Sequence, residues 1–182
     1  MTGVQTCALP ISFILGLAMV AGMVGCDSDS SGRGRNNGLG DDPVRITGTV
    51  QAGPLNGATV VAEAVNADGT IGQTIGQAAT DAQGAFSLAL NSDSNTYTGP
   101  VVLRATGGTY VDEGTGQTVT LTATLTALLP NLSAFDQNNP SREAVNLTIL
   151  TSFAAEMARS ATGGFTQSNM MAANAAVNTA LG

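Results

Sequence analysis

The side chains that could do chemistry in this chain are few, and two of the most useful types are missing. The 182-residue sequence contains no histidine, and its six basic residues are all arginines. Without histidine there is no imidazole base, no Ser-His-Asp triad and no His-ligated zinc. Without lysine there is no Schiff base and no Walker-type phosphate site. Because only carboxylates, tyrosines and two cysteines remain, we predict a protein that is not an enzyme and needs no cofactor.

The pair Asp112 and Glu113, in the stretch TYVDEGTGQ, is the one place after residue 43 where two acids adjoin. In a strand the two side chains would point to opposite faces, so they could not form a catalytic dyad there. In a loop they could bind calcium together with threonine and backbone oxygens. A solvated loop without metal is the alternative interpretation.

Cys26 follows an uncharged apolar run, residues 12–25. That run has the length of a signal-peptide core and is shorter than the roughly 20 apolar residues of a membrane-spanning helix. The sequence Met23-Val24-Gly25-Cys26 resembles the lipobox of bacterial lipoproteins, although leucine is usual where Met23 stands. The resemblance implies that Cys26 carries lipid and anchors the chain in the bacterial cell envelope, on its periplasmic or surface face. The alternative is an ordinary thiol just beyond a signal peptide.

The first twelve residues, MTGVQTCALPIS, lack the positive charge with which signal peptides begin. They resemble the translation of a sequencing adapter, in which case Cys7 is no part of the organism's protein. We therefore assign residues 1–25 to a signal peptide with an artefactual start. Residues 26–42, rich in glycine, serine, asparagine and aspartate, form the lipid-bearing cysteine and a flexible linker.

Between residues 43 and 130, apolar and polar residues alternate, which is typical of half-buried strands. The clearest pattern is at 118–127, where apolar side chains alternate with five threonines. Short strands joined by glycine-, asparagine- and proline-containing turns predict a mainly β fold, an antiparallel two-sheet sandwich. The predicted strands are 44–50, 58–65, 85–90, 101–106 and 118–127, with a weaker one within 73–80.

Two stretches of this region, ITGTVQAGPLNGATVVAE and ATDAQGAFSLAL, resemble the carboxypeptidase regulatory-like domain, a transthyretin-like sandwich of the immunoglobulin-like class. Gly57 lies in the first stretch, and Asp81, Gly84 and Phe86 lie in the second. The resemblance implies that these residues are structural: Asp81 and Gly84 shape a turn, and Phe86 fills the core. It implies no catalysis, since in carboxypeptidases this domain stands beside the catalytic one.

Residues 131–182 have helical spacing and predict two short helices. Gly163 and Gly164 end the first, and Thr166 or Ser168 caps the second. Because two short helices are marginal alone, we expect the sandwich or further chain to cover their apolar sides. We also expect the chain to be truncated at this end. The apolar stripe of the first helix consists of Leu150, Phe153, Ala154, Met157 and Ala161.

The net charge of −7 argues against nucleic acid as a partner, because phosphate binding needs clustered basic residues. We expect the membrane to be one partner, through lipid on Cys26, and an unidentified envelope protein or glycan to be another. The expected function is a non-catalytic, lipid-anchored envelope protein that presents a binding or scaffolding module. The alternative is an accessory or substrate-binding module of an envelope enzyme whose catalytic part lies outside this chain. Tyr97 and Tyr110, without any tryptophan, could offer only a poor aromatic platform for sugars.

Overall fold

The computed structural model describes residues 44–134 and 144–181. Within these residues the chain forms nine β-strands and two α-helices, with 3₁₀ turns at Ser92–Ser94 and Leu132–Ala134. The bounds are β1 Arg45–Val50, β2 Thr59–Val65, β3 Ile71–Ala79, β4 Ala85–Ala89, β5 Val101–Thr106, β6 Thr109–Val111, β7 Thr118–Thr120, β8 Leu125–Leu129, β9 Val145–Leu147, α1 Ile149–Ser160 and α2 Gln167–Leu181.

The strands form two facing sheets and a small hairpin. One sheet has the order β4-β1-β9, the other has the order β3-β2-β5-β8, and β6 pairs with β7. All these pairs are antiparallel except β1 with β9, which run parallel. The predicted fold class, a mainly β sandwich followed by two helices, is confirmed.

The core between the sheets follows the period-two pattern of the sequence. In β1, for example, Ile46 and Val50 are buried while Arg45 and Thr47 are exposed. Successive side chains of a strand point to opposite faces, so each strand contributes every second residue to the core. The large side chains of this core are Ile46, Val50, Leu55, Val60, Ile75, Phe86, Leu88, Leu90, Val101, Leu103, Leu125, Leu129, Leu132 and Leu147.

The prediction of one strand at 118–127 is wrong, because the structure divides it into β7 and β8. The reason lies in the partner strand. β8 pairs with β5 only up to Ala105, and the chain then turns at Gly107-Gly108 into β6, which takes β7 as its partner. The alternation of apolar residues and threonine is therefore shared between two sheets.

Residues 131–182 are not helical throughout, since they also contain β9. This strand adds to the edge of β1, with Val50 opposite Leu147, and Leu147 is buried in the core. The apolar spacing of three residues is too short to distinguish such a strand from the start of a helix. The sandwich is therefore completed by residues on the C-terminal side of Pro130.

The two helices cover part of the outer face of the four-stranded sheet and make a third layer. On that face Val65, Val102 and Leu128 are buried although their strand neighbours point into the sandwich. A second apolar cluster forms there. Its helical members are Ala154, Ala155, Ala158, Phe165, Met170 and Ala173.

Hydrogen bonds fix the helices to the sandwich. Ser152 Oγ accepts from the backbone N–H of Thr126 at 2.9 Å, and Asn174 Nδ2 donates to the carbonyl of Leu128 at 3.4 Å. Both backbone groups lie on the free edge of β8, where an unpaired strand would otherwise be open to other chains. Neither helix in the described part of the chain is long and apolar enough to cross a membrane.

The apolar stripe predicted for α1 is not covered by the sandwich. Of its five residues only Ala154 is buried, and Leu150, Phe153 and Met157 are exposed to solvent. Ala155 and Ala158 take their place against the sheet. The outer face of the sheet already carries Val65, Val102 and Leu128, so small side chains allow the helix to pack closely on it.

Candidate functional site

Asp81 closes the turn between β3 and β4. Its Oδ1 accepts from the backbone N–H groups of Gln83 and Ala85, each at 2.9 Å. The backbone of the same turn is joined by hydrogen bonds from Asp81 N to Ala85 O and from Gly84 N to Asp81 O. A short carboxylate that satisfies two backbone donors is a common way to fix a tight turn.

Gly84 and Gly57 both have positive φ angles, of 76° and 71°, but they differ in their surroundings. A Cβ on Gly84 would stand 2.6 Å from the carbonyl oxygen of Val50, whereas nothing lies within 4 Å of a Cβ on Gly57. Gly84 also accepts a hydrogen bond from Val50 N at 2.8 Å. The β3–β4 turn is therefore pressed against the end of β1, and only glycine fits at position 84.

Phe86 follows this turn directly and is 5% exposed. Its ring lies over Gly48 of the neighbouring strand β1, where a Cβ would come within 2.8 Å of the ring. The ring thus fills the space that the missing side chain leaves in the adjacent strand. These contacts serve packing and offer no polar atom to a ligand.

Thr80 is a structural residue whose importance the sequence pattern did not reveal. It is a buried polar side chain of the sandwich. Its hydroxyl accepts from Ala58 N at 2.9 Å and donates to the carbonyl of Leu55, so it links the loop before β2 to the end of β3. The only signal was its place beside Asp81 in the motif, which does not distinguish a buried threonine from an exposed one.

Asp112 and Glu113 begin the loop between β6 and β7, and the described residues bring no third acidic, histidine or cysteine side chain to them. Asp112 Oδ1 accepts from the Thr115 hydroxyl at 2.7 Å and from Thr115 N at 2.8 Å. The hydroxyl contact, followed by the backbone contact, holds the pKa of the Asp112 carboxyl below its ordinary value. This carboxylate stabilises its own loop, and a calcium site here stays a prediction.

Tyr97 and Tyr110 are half-buried and pack against the core between the sheets. The Tyr97 hydroxyl donates to the carbonyl of Pro100 at 2.7 Å and accepts from Val65 N at 3.1 Å. Burial raises the pKa of this phenol, which keeps its proton on the donor. Tyr97 is therefore a structural tyrosine, with its polar end already bound to backbone.

An open groove of about 390 Å³ lies between the end of β8 and helix α2. Three asparagines, Asn146, Asn174 and Asn178, stand among its apolar walls. Asn146 accepts from Thr49 and Asn174 donates to Leu128, so both amides are partly used within the protein. Its volume falls within the range of small-molecule sites, although the groove is open along one side and would leave a ligand partly in solvent.

Of the seven large apolar side chains that are exposed in the described residues, four lie on one side of α1, which we name the exposed α1 face. It consists of Ile149, Leu150, Phe153 and Met157, with exposed fractions of 60%, 45%, 61% and 49%. Beside it, Arg159 forms an ion pair with Glu156. The hydrogen bonds that Arg159 donates hold the pKa of the Glu156 carboxyl below its ordinary value. The sequence pattern identified three of these four residues as one stripe, which we expected the sandwich or further chain to cover.

The predicted lipid site, Cys26 with Met23, Val24 and Gly25, lies outside the described residues. Gly57, Asp81, Gly84 and Phe86 all lie where the β3–β4 turn and the loop before β2 meet the end of β1. No protein-family model matches this chain, and no curated protein is similar to it.

Proposed function

We propose that this protein is a non-catalytic, lipid-anchored component of a bacterial cell envelope. The observation that carries the proposal is the position of Cys26, which comes directly after small residues at the end of an uncharged apolar run. In this proposal the sulfur of Cys26 takes the diacylglyceryl group of a membrane phospholipid, whose headgroup leaves as its phosphate ester together with the thiol proton. The peptide bond before Cys26 is then hydrolysed. Several acyl chains on one residue hold a protein firmly, whereas a single chain holds it only marginally.

The part that the anchor presents is the β-sandwich with its helical layer, acting as a binding or scaffolding module. Two features support a non-catalytic role. The 182-residue sequence has no histidine and no lysine, which removes the common bases and amine nucleophiles from this part of the protein. Among the described residues, Asp81 and Asp112 are already bound to their own turns, and Glu63 and Glu156 are paired with arginines.

Metabolic labelling with radioactive palmitate tests the anchor. We expect the chain expressed in bacteria to take up label, and Cys26→Ala to abolish it. Cys7→Ala is the matched control, since it removes the other cysteine of the sequence and should leave the label in place. Equal labelling of the wild-type chain and Cys26→Ala would refute the proposal, as would a mature product that begins elsewhere than residue 26.

The groove between β8 and α2 favours a second candidate, an accessory or substrate-binding module of an envelope enzyme. Amide side chains suit the hydroxyl groups of a glycan, because they donate and accept hydrogen bonds at once. A rise in melting temperature with envelope oligosaccharides, lost in Asn178→Leu, would support this function. An exposed substitution outside the groove, Thr47→Val, is the control and should keep the rise.

A further inference from the structure

We infer that the exposed α1 face lies on the bilayer surface to which Cys26 ties the chain. The inference rests on the proposed function, since it takes the lipid anchor as given. It adds a second contact with the membrane, made by the folded module itself. The ligand is the boundary between headgroups and acyl chains, and the contact is apolar.

The geometry of α1 allows this contact without unfolding. At about 100° per residue, Ile149, Phe153, Met157 and Leu150 fall within an arc of about 100°. The mean direction of the buried alanines 154, 155 and 158 lies about 130° from the mean direction of these four residues. One helix therefore has two apolar sides: a side of small residues that holds it to the sheet, and a side of large residues that is open.

The charges around this face fit a lipid surface better than a polar partner. The arc itself carries no charged side chain, and the nearby Glu156 and Arg159 neutralise each other. The phenylalanine at its centre and the long side chains around it are of the type that inserts at a membrane interface. Because the whole chain has a net charge of −7, the attraction must come from apolar burial and not from anionic headgroups.

The size of the face argues against a second copy of the chain as its occupant. Four side chains that are about half exposed present on the order of 400 Å² of apolar surface. A stable protein interface buries roughly 800 Å² on each partner. A bilayer has no such minimum for a chain that is already tethered, because the tether raises the effective concentration of the face at the membrane.

The length of the linker allows anchor and face to reach one bilayer together. Residues 27–43 can span at most about 60 Å. The first described residue, Val44, stands at the start of β1, while α1 begins beyond the other end of that strand, since β9 runs parallel to β1. The two ends of a six-residue strand are about 20 Å apart, well within this reach.

A tryptophan reporter tests the inference, because the chain has no tryptophan of its own. The chain from residue 26, with Cys26 as its single thiol, is coupled to maleimide-bearing phosphatidylcholine vesicles. We expect Phe153→Trp to show a blue-shifted emission on coupling and to lose most of that emission when the vesicles contain brominated phosphatidylcholine. Val111→Trp, at an exposed position of the β6–β7 hairpin, is the matched control and should show neither effect.

A second variant removes the apolar contact while keeping the reporter. Phe153→Trp combined with Leu150→Ser and Met157→Ser should lose the shift and the quenching, with an unchanged circular dichroism spectrum. Equal quenching of Phe153→Trp and Val111→Trp, or none of Phe153→Trp, would overturn the inference. A blue shift without lipid that grows with protein concentration would also overturn it, because a second copy would then cover the face. Chemical coupling replaces the natural lipid as the tether, so this experiment tests the α1 face independently of lipid on Cys26. The palmitate experiment can therefore fail while this one succeeds, and this one can fail while the palmitate experiment succeeds.

Discussion

The two apolar interfaces of this protein are built from different side chains. Between the sheets the space is filled mainly by leucine, isoleucine, valine and Phe86, with five alanines among them, since facing sheets lie about 10 Å apart. Between the helices and the outer face of the sheet, α1 contributes only alanines. Small side chains let a helix approach its neighbour closely, so the second interface needs no large residue from α1.

The difference explains why α1 carries its large apolar residues on the outside. The periodicity of such a helix does not determine which apolar side, that of the alanines or that of the larger residues, packs against the sheet. Here Val65, Val102 and Leu128 occupy the sheet surface, and the alanine side is the one that fits. Leu150, Phe153 and Met157 are then exposed to solvent, where another surface can contact them.

The sharpest test of this comparison uses two phenylalanines. We expect Phe86→Ala to lower the free energy of unfolding by about 3–5 kcal/mol, because it leaves a cavity between the sheets. Phe153→Ala, on the exposed α1 face, should change it by less than about 0.5 kcal/mol. Urea unfolding followed by circular dichroism measures both. A similar loss for the two variants would mean that Phe153 is buried in solution and that the comparison fails.

The alanine side of α1 gives the next effect. Ala158→Leu adds volume where the helix touches the sheet, and we expect it to cost about 1–3 kcal/mol of unfolding free energy. Ala172→Leu, at an exposed position of α2, should cost less than about 0.5 kcal/mol. If both variants unfold at the wild-type urea concentration, the helical layer is packed loosely and can shift to accept a larger residue.

The smallest effect comes from the loop between β6 and β7, residues 112–117, which contributes no side chain to either interface. The pKa of Asp112 is lowered in the folded state, chiefly by the Thr115 hydroxyl, so this contact adds stability above the ordinary carboxyl pKa of about 4. The contribution is lost as the pH falls through the lower folded pKa. Asp112→Asn should therefore reduce the fall in stability on acidification, measured by urea unfolding between pH 6 and 3. Glu113→Gln removes a neighbouring charge without touching Thr115, and an equal change there would contradict the assignment.

Particular residues show how far the sequence could be read. Ile46 and Val50 in β1 alternate with exposed residues, and the same rule located β2, β4 and β5, because a strand's faces are fixed by a period of two. The Asp81–Gly84 turn was equally predictable, since aspartate and glycine between two strands are typical turn residues. The burial of Thr80 and Val102 could not be predicted, because it depends on elements that lie far away in the chain.

The candidate site was less predictable than the fold. Asp112 and Glu113 could be located in a loop by sequence, but the bond from Thr115 to Asp112 decides what that carboxylate does. The stripe of α1 was visible as a pattern, and its direction was not. The groove beside α2 had no signal at all, since Asn146 and Asn178 come together only through packing.

By itself, the sequence determined β1, β2, β4 and β5, the turns beside them, the two helices and the absence of histidine and lysine chemistry. These depend on local periodicity, backbone preference and composition, which act over a few residues or on the chain as a whole. The tertiary structure alone decided the split of 118–127 between two sheets, the addition of β9 to β1, and the outward direction of Phe153. Each of these depends on which surface a segment contacts, and the segment's own sequence does not specify a surface that distant strands form.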